Sequence, residues 1–143
     1  MIDVAVFNAH PALRLRRAPA AAAVRCVARG ERRRTASVSV VFVGNRASAH
    51  LNSRYLGHSG GTDVISFPLG EGRTVEGEIY VNLDRARSQA REYGVRFPDE
   101  VARLVVHGTL HLFGYDDRTA RLAREMKRRE DRYVGLLAGR RES

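Results

Sequence analysis

Apolar and polar residues alternate through IDVAVFN near the start of the chain, and the β-branched side chains there predict a strand. Residues 11–34 are rich in alanine and arginine and predict a helix near Pro19 to Arg29, closed by the basic run RGERRR. ASVSVVFV (36–43), partly alternating and partly continuous apolar, predicts a second strand. NRASAHLNSRYLG reads as a helix, with Leu51 and Tyr55 four apart and Gly57 as its stop. TDVISFP and EGEIYVN predict short strands on either side of a glycine-rich turn. LDRARSQAREYG sets Ala86, Ala90 and Tyr93 on one helix face and ends at Gly94. A helix from Pro98 to Phe113 follows, with Asp99 and Glu100 in its first turn, where negative charge complements the helix dipole. From Thr119 to Leu137 a charged amphipathic helix aligns Leu122, Met126, Tyr133 and Leu137. These elements predict an α+β fold, a mixed sheet of about four strands with about five helices, in a single domain over residues 1–143.

The 98–113 helix carries the chemistry. Val101, Leu104, Val105 and Leu112 form one apolar stripe, and Val106, Leu110 and Phe113 cover much of the other side. A helix apolar nearly all round is a buried helix. His107 and His111 lie one turn apart on one flank of it. Two imidazoles there are costly without partners, and a divalent metal is an efficient partner. Gly108 lets another element approach closely, and Gly114 can take a positive φ and turn the chain back. That turn brings Asp116 or Asp117 toward the rings, in the pattern H-x-x-x-H-x-x-G-x-x-D. Three protein ligands leave one position open, the catalytic rather than the structural arrangement. Metzincin peptidases share this spacing but need a glutamate after the first histidine as general base, and Gly108 stands there.

Composition narrows the class. At 143 residues, 43% apolar and 29% charged, the chain has the balance of a globular protein. No apolar run approaches the roughly 20 residues of a membrane span, and the N-terminus lacks the pattern of a signal peptide. Cys26 is the single cysteine, so no internal disulfide forms, which points to a reducing, cytoplasmic setting. The net charge of +9 favours a polyanionic partner. Lys127 is the only lysine, so the arginine content also fits a compositional bias of the genome.

LNSRYLGHSGGTDVISFP (51–68), EGEIYVN (76–82) and HGTLHLFGYDD (107–117) resemble the three signature blocks of the YbeY family, bacterial metal-dependent single-strand endoribonucleases that mature ribosomal RNA. The resemblance implies a four-stranded α+β fold, one Zn²⁺ on His107, His111 and Asp117, and a cleft for single-stranded RNA of the ribosomal small subunit. Two departures stand out. The family usually ends its metal block with a third histidine, where this chain has Asp117, and usually has an arginine where this chain has Leu56. Carboxylate oxygen also binds zinc, so the first exchange is mild. The second removes a phosphate contact, for which Arg54 and His58 are the nearby replacements, with Arg118 beside the metal block. Asp116, Asp63 and Glu78 are the candidate general bases; Asp116 also suits the support of a ligand histidine. His10 and His50 are read as ordinary polar residues. Alternative functions are a metal-binding ribosome assembly factor that does not cut RNA, and a metallopeptidase-like hydrolase.

Overall fold

Branched residues stiffen the chain toward the extended backbone, and the valine-rich segments become the strands. The computed structural model describes residues 1–56, 62–70 and 74–142. Along the chain run β1 (Ile2–Asn8), α1 (Ala18–Gly30), β2 (Ala36–Val43), α2 (Asn45–Leu56), β3 (Val64–Pro68), β4 (Val75–Asn82), α3 (Leu83–Tyr93), α4 (Phe97–Leu112) and α5 (Ala120–Glu142). The sheet order is β1-β2-β4-β3. β2 runs parallel to both β1 and β4, and β3 pairs antiparallel with β4, so the sheet is mixed and β3 is an edge.

Strand alternation sets the core. Ala36, Val38, Val40 and Phe42 of β2 are buried, while Ser37 between them is exposed. α4 is the hub: it packs against α1, α3 and α5 as well as β3 and β4. All seven apolar residues of its two stripes are buried, as the sequence pattern predicts. Two glycines bring this helix down onto the sheet. A Cβ on Gly77 of β4 would lie 2.5 Å from the Leu112 side chain, and one on Gly108 would lie 2.7 Å from Ile79. The Ser66 hydroxyl donates to the Gly108 carbonyl at 2.9 Å, pinning the edge strand to the helix.

Two expected core positions are corrected. Tyr93 is 58% exposed, because burial on α3 stops at Ala90. Leu122 is 39% exposed among Arg121, Arg124 and Arg128. The buried stripe of α5 runs instead through Met126, Glu130 and Tyr133.

Glu31, just past α1, ties that helix to the C-terminal part of the chain. It accepts from the Tyr115 hydroxyl at 2.6 Å, from Arg129 at 3.0 Å and from the Tyr133 hydroxyl. Burial pushes its pKa up, but the hydrogen bonds from Tyr115, Tyr133 and Arg129 outweigh that and hold it below the ordinary 4.5. The stability this group contributes is therefore complete above pH 4.5 and declines as the pH falls through its lower folded value. Glu31→Gln is expected to lower stability at pH 7 by about 1–3 kcal/mol and to flatten the acid limb of the stability curve. Melting temperatures measured from pH 7 to pH 3 check this; parallel curves for the two proteins would remove Glu31 from the acid transition.

Candidate metal centre

His107 and His111 leave α4 on the same flank, with ring centroids 4.8 Å apart and planes at 72°. The helix ends one residue past His111. Gly114 takes φ +105°, its amide bonds to the His111 carbonyl at 3.0 Å, and the Tyr115 amide reaches back to the Leu110 carbonyl at 3.1 Å. This is the glycine turn that the sequence predicts. Tyr115 is then clamped, its hydroxyl on Glu31 and its ring under the Arg129 guanidinium at 4.8 Å. With Tyr115 fixed, the returning segment carries Asp117 to the rings. One ligand atom from each of His107, His111 and Asp117 lies within 4.8 Å of the other two.

The donor set suits a divalent cation. Burial, and after it the neighbouring His107, push the His111 pKa below its ordinary 6.5, so its imidazole stands neutral with a free lone pair. Donors around a tetrahedral ion with bonds of about 2.1 Å lie about 3.4 Å apart. Asp117 is the exposed member of the three. An ion held by these two nitrogens and one oxygen would border a cleft of about 410 Å³, which all three residues line. That cleft is walled by Thr62, Asp63 and the edge strand β3. Its rim is anchored: the Ser48 hydroxyl donates to the Thr62 carbonyl at 3.0 Å, as does the Asn82 side-chain amide at 3.2 Å.

Behind the rings lies a chain of charged residues, of which Glu100 and Glu130 are buried. His107 Nδ1 is 2.9 Å from a Glu130 carboxylate oxygen. The other Glu130 oxygen is 3.4 Å from Arg103, which forks onto Glu100 at 2.6 and 2.9 Å. Sequence reasoning misses Glu130. Its signal is a glutamate on the same α5 stripe as Met126 and Tyr133, where an apolar residue is expected.

The family model described as Endoribonuclease YbeY matches residues 14–138. The chain belongs to the YbeY endoribonuclease family. It is 41% identical to the Endoribonuclease YbeY of Chlorobaculum parvum over 119 residues, which is 83% of this chain and 84% of that one. Against the Endoribonuclease YbeY of Chlorobium luteolum it is 43% identical over 115 residues, 80% and 84% of the two chains. The solution structure of a Thermotoga maritima protein superposes with a TM-score of 0.67 at 26% identity, covering 97% of this chain and 91% of that one.

The remaining sequence candidates are dispersed around this YbeY-type site. Asp63 lines the cleft. Asp116 does not stand free: backbone and side-chain hydrogen bonds from Arg118 hold its pKa below the ordinary value. Glu78 accepts from the Tyr80 hydroxyl at 3.3 Å. Arg54 lies 5.6 Å over the Tyr55 ring and is not among the residues lining the cleft. His58 lies outside the described residues. His10 is buried and bonds Asp84 at 2.9 Å, away from the ligand set. Position 108 packs against Ile79, Ser66 and Val64, and a Cβ there would lie 2.7 Å from Ile79, so the glycine is required by the close approach of the sheet. The peptidase arrangement lacks its glutamate at this position.

Proposed function

We propose that this chain is a metal-dependent endoribonuclease that cuts single-stranded ribosomal RNA near the 3′ end of the small-subunit RNA, in the cytoplasm. Its zinc ligands are His107, His111 and Asp117. The observation that carries this reading is the convergence of those three side chains on one cleft in a chain of the endoribonuclease family. When bound, zinc supplies Lewis acidity, which lowers the pKa of water toward about 7 and polarises a phosphoryl oxygen. The protein groups do the rest. His107 and His111 present ring nitrogens from a rigid, buried helix. Asp63, which lines the cleft wall, would take the proton of the attacking water. Asp116 supports the turn through Arg118. Arg118, 82% exposed and next to Asp117, has the reach to hold a phosphate, alongside the sequence candidates Arg54 and His58. Arg121, Arg124 and Arg128 continue the positive charge along α5 and line a hollow of about 630 Å³.

A second reading has one observation in its favour. The resemblance implies an arginine where this chain has Leu56, and its absence fits a metal-binding assembly factor that holds RNA without cutting it. One experiment separates the two. Zinc-loaded protein is incubated with a single-stranded and a double-stranded RNA, with and without chelator. Cleavage of the single strand alone, abolished by chelator, is expected. Tight binding with no cleavage under zinc, manganese, nickel or cobalt would replace the nuclease with the assembly factor. In the same binding assay, log affinity should fall linearly with log salt at a slope of about −0.7 per phosphate contacted. A flat response would leave base composition as the account of the +9 charge.

A further inference from the structure

We propose that Glu130 is a positioning residue of the metal centre, fixing the His107 ring through Nδ1 so that Nε2 is the nitrogen offered to the ion. The inference rests on the metal-site reading above and adds a residue from a different helix. A carboxylate only accepts, so at 2.9 Å the Nδ1 of His107 must be the donor. The proton on Nδ1 leaves the Nε2 lone pair free, which selects one tautomer and one ring orientation.

Two features set this contact apart from an incidental helix pin. Glu130 is 2% exposed and shares the buried stripe of α5 with Met126 and Tyr133, where an apolar side chain would pack without desolvating a charge. Its position is also held from behind. Arg103 approaches the second Glu130 oxygen at 3.4 Å and forks onto Glu100, itself 2% exposed. The Gln89 amide donates to Glu100 at 2.7 Å. The chain of contacts therefore runs from α3 through α4 to α5 and ends on His107. Glu100 and Glu130 carry two negative charges against the one of Arg103, with Lys127 at 3.9 Å on the solvent side. The Glu130 carboxylate faces the His107 ring, and a cation on the far nitrogen of that ring complements it.

The test measures Co²⁺ affinity by competition with a chromophoric chelator, together with the visible absorption bands of the Co²⁺-loaded protein. Glu130→Ala and the isosteric Glu130→Gln are expected to weaken Co²⁺ binding about 10- to 100-fold and to shift the bands. Met126→Ala removes a buried side chain from the same stripe. It should lower the melting temperature while leaving Co²⁺ affinity and bands unchanged. Unchanged affinity in both Glu130 variants overturns the proposal, as does an equal loss in Met126→Ala, which would assign the effect to helix docking alone. If the unaltered protein binds no Co²⁺, or His111→Ala binds it equally well, the metal site itself fails and this inference falls with it.

Discussion

His111→Ala is expected to lose the metal and RNA cleavage together while the fold stands. With one imidazole gone, two ligands remain, and Asp117 is an exposed one. The metal content should fall from about one ion per chain toward zero. Cleavage should fall at least about 10²- to 10³-fold, the scale seen when a single preorganised electrostatic group is removed. The fold is spared because His111 lies on the flank of α4 that meets the cleft, while Val101, Leu104, Val105 and Leu110 do the packing. Asp117→His, which exchanges one zinc-binding donor for another, should keep the metal. Elemental analysis and gel-based cleavage read the unaltered protein and the His107→Ala, His111→Ala and Asp117→His variants side by side. Full metal retention in both His107→Ala and His111→Ala would refute the centre.

The strands and the metal helix were legible because their patterns are strong and local. β2 begins and ends at the residues that the apolar run marks, 36 and 43. α4 is apolar on two sides, and a helix of that kind has to be central. Gly108 and Gly114 were readable for the same reason: one allows close approach of the sheet, the other a positive φ. The support of the site was not legible. Glu100, Arg103 and Glu130 are charged residues in charged stretches, and a single sequence reads such residues as solvated. Only the packing of α3, α4 and α5 reveals that two of them are buried. Glu31 is hidden in the same way, since its partners Tyr115 and Tyr133 are 84 and 102 residues away. The resemblance named Asp117 rather than Asp116 as the third ligand; in the structure Asp116 bonds Arg118 and Asp117 groups with the two rings.

Gly108→Val is expected to cost about 3 kcal/mol of stability and to weaken metal binding, although a helix interior normally gains from losing a glycine. The gain is small: replacing glycine in a helix is worth at most about 1 kcal/mol. Against it stands the packing. A Cβ at this position would lie 2.7 Å from Ile79, 3.0 Å from the Ser66 hydroxyl and 3.3 Å from Val64, before the two valine methyls are added. Ile79 is fully buried and has no space to retreat into. Ser66 is also committed, because it donates to the Gly108 carbonyl. α4 must therefore lift from β3 and β4. That movement carries His107 and His111 away from the Asp63 wall and strains the turn that returns Asp117. Urea unfolding should show a midpoint lower by about 1–2 M for a loss of this size. Gly94→Val is not a usable comparison, since φ +67° strains any side chain there. Gly135→Ala is, because a Cβ at that helical position meets nothing within 4 Å, and it should be neutral or stabilising. If Gly108→Val matches Gly135→Ala in stability and binds metal as the unaltered protein does, the close approach of α4 to the sheet does not set the geometry of the site.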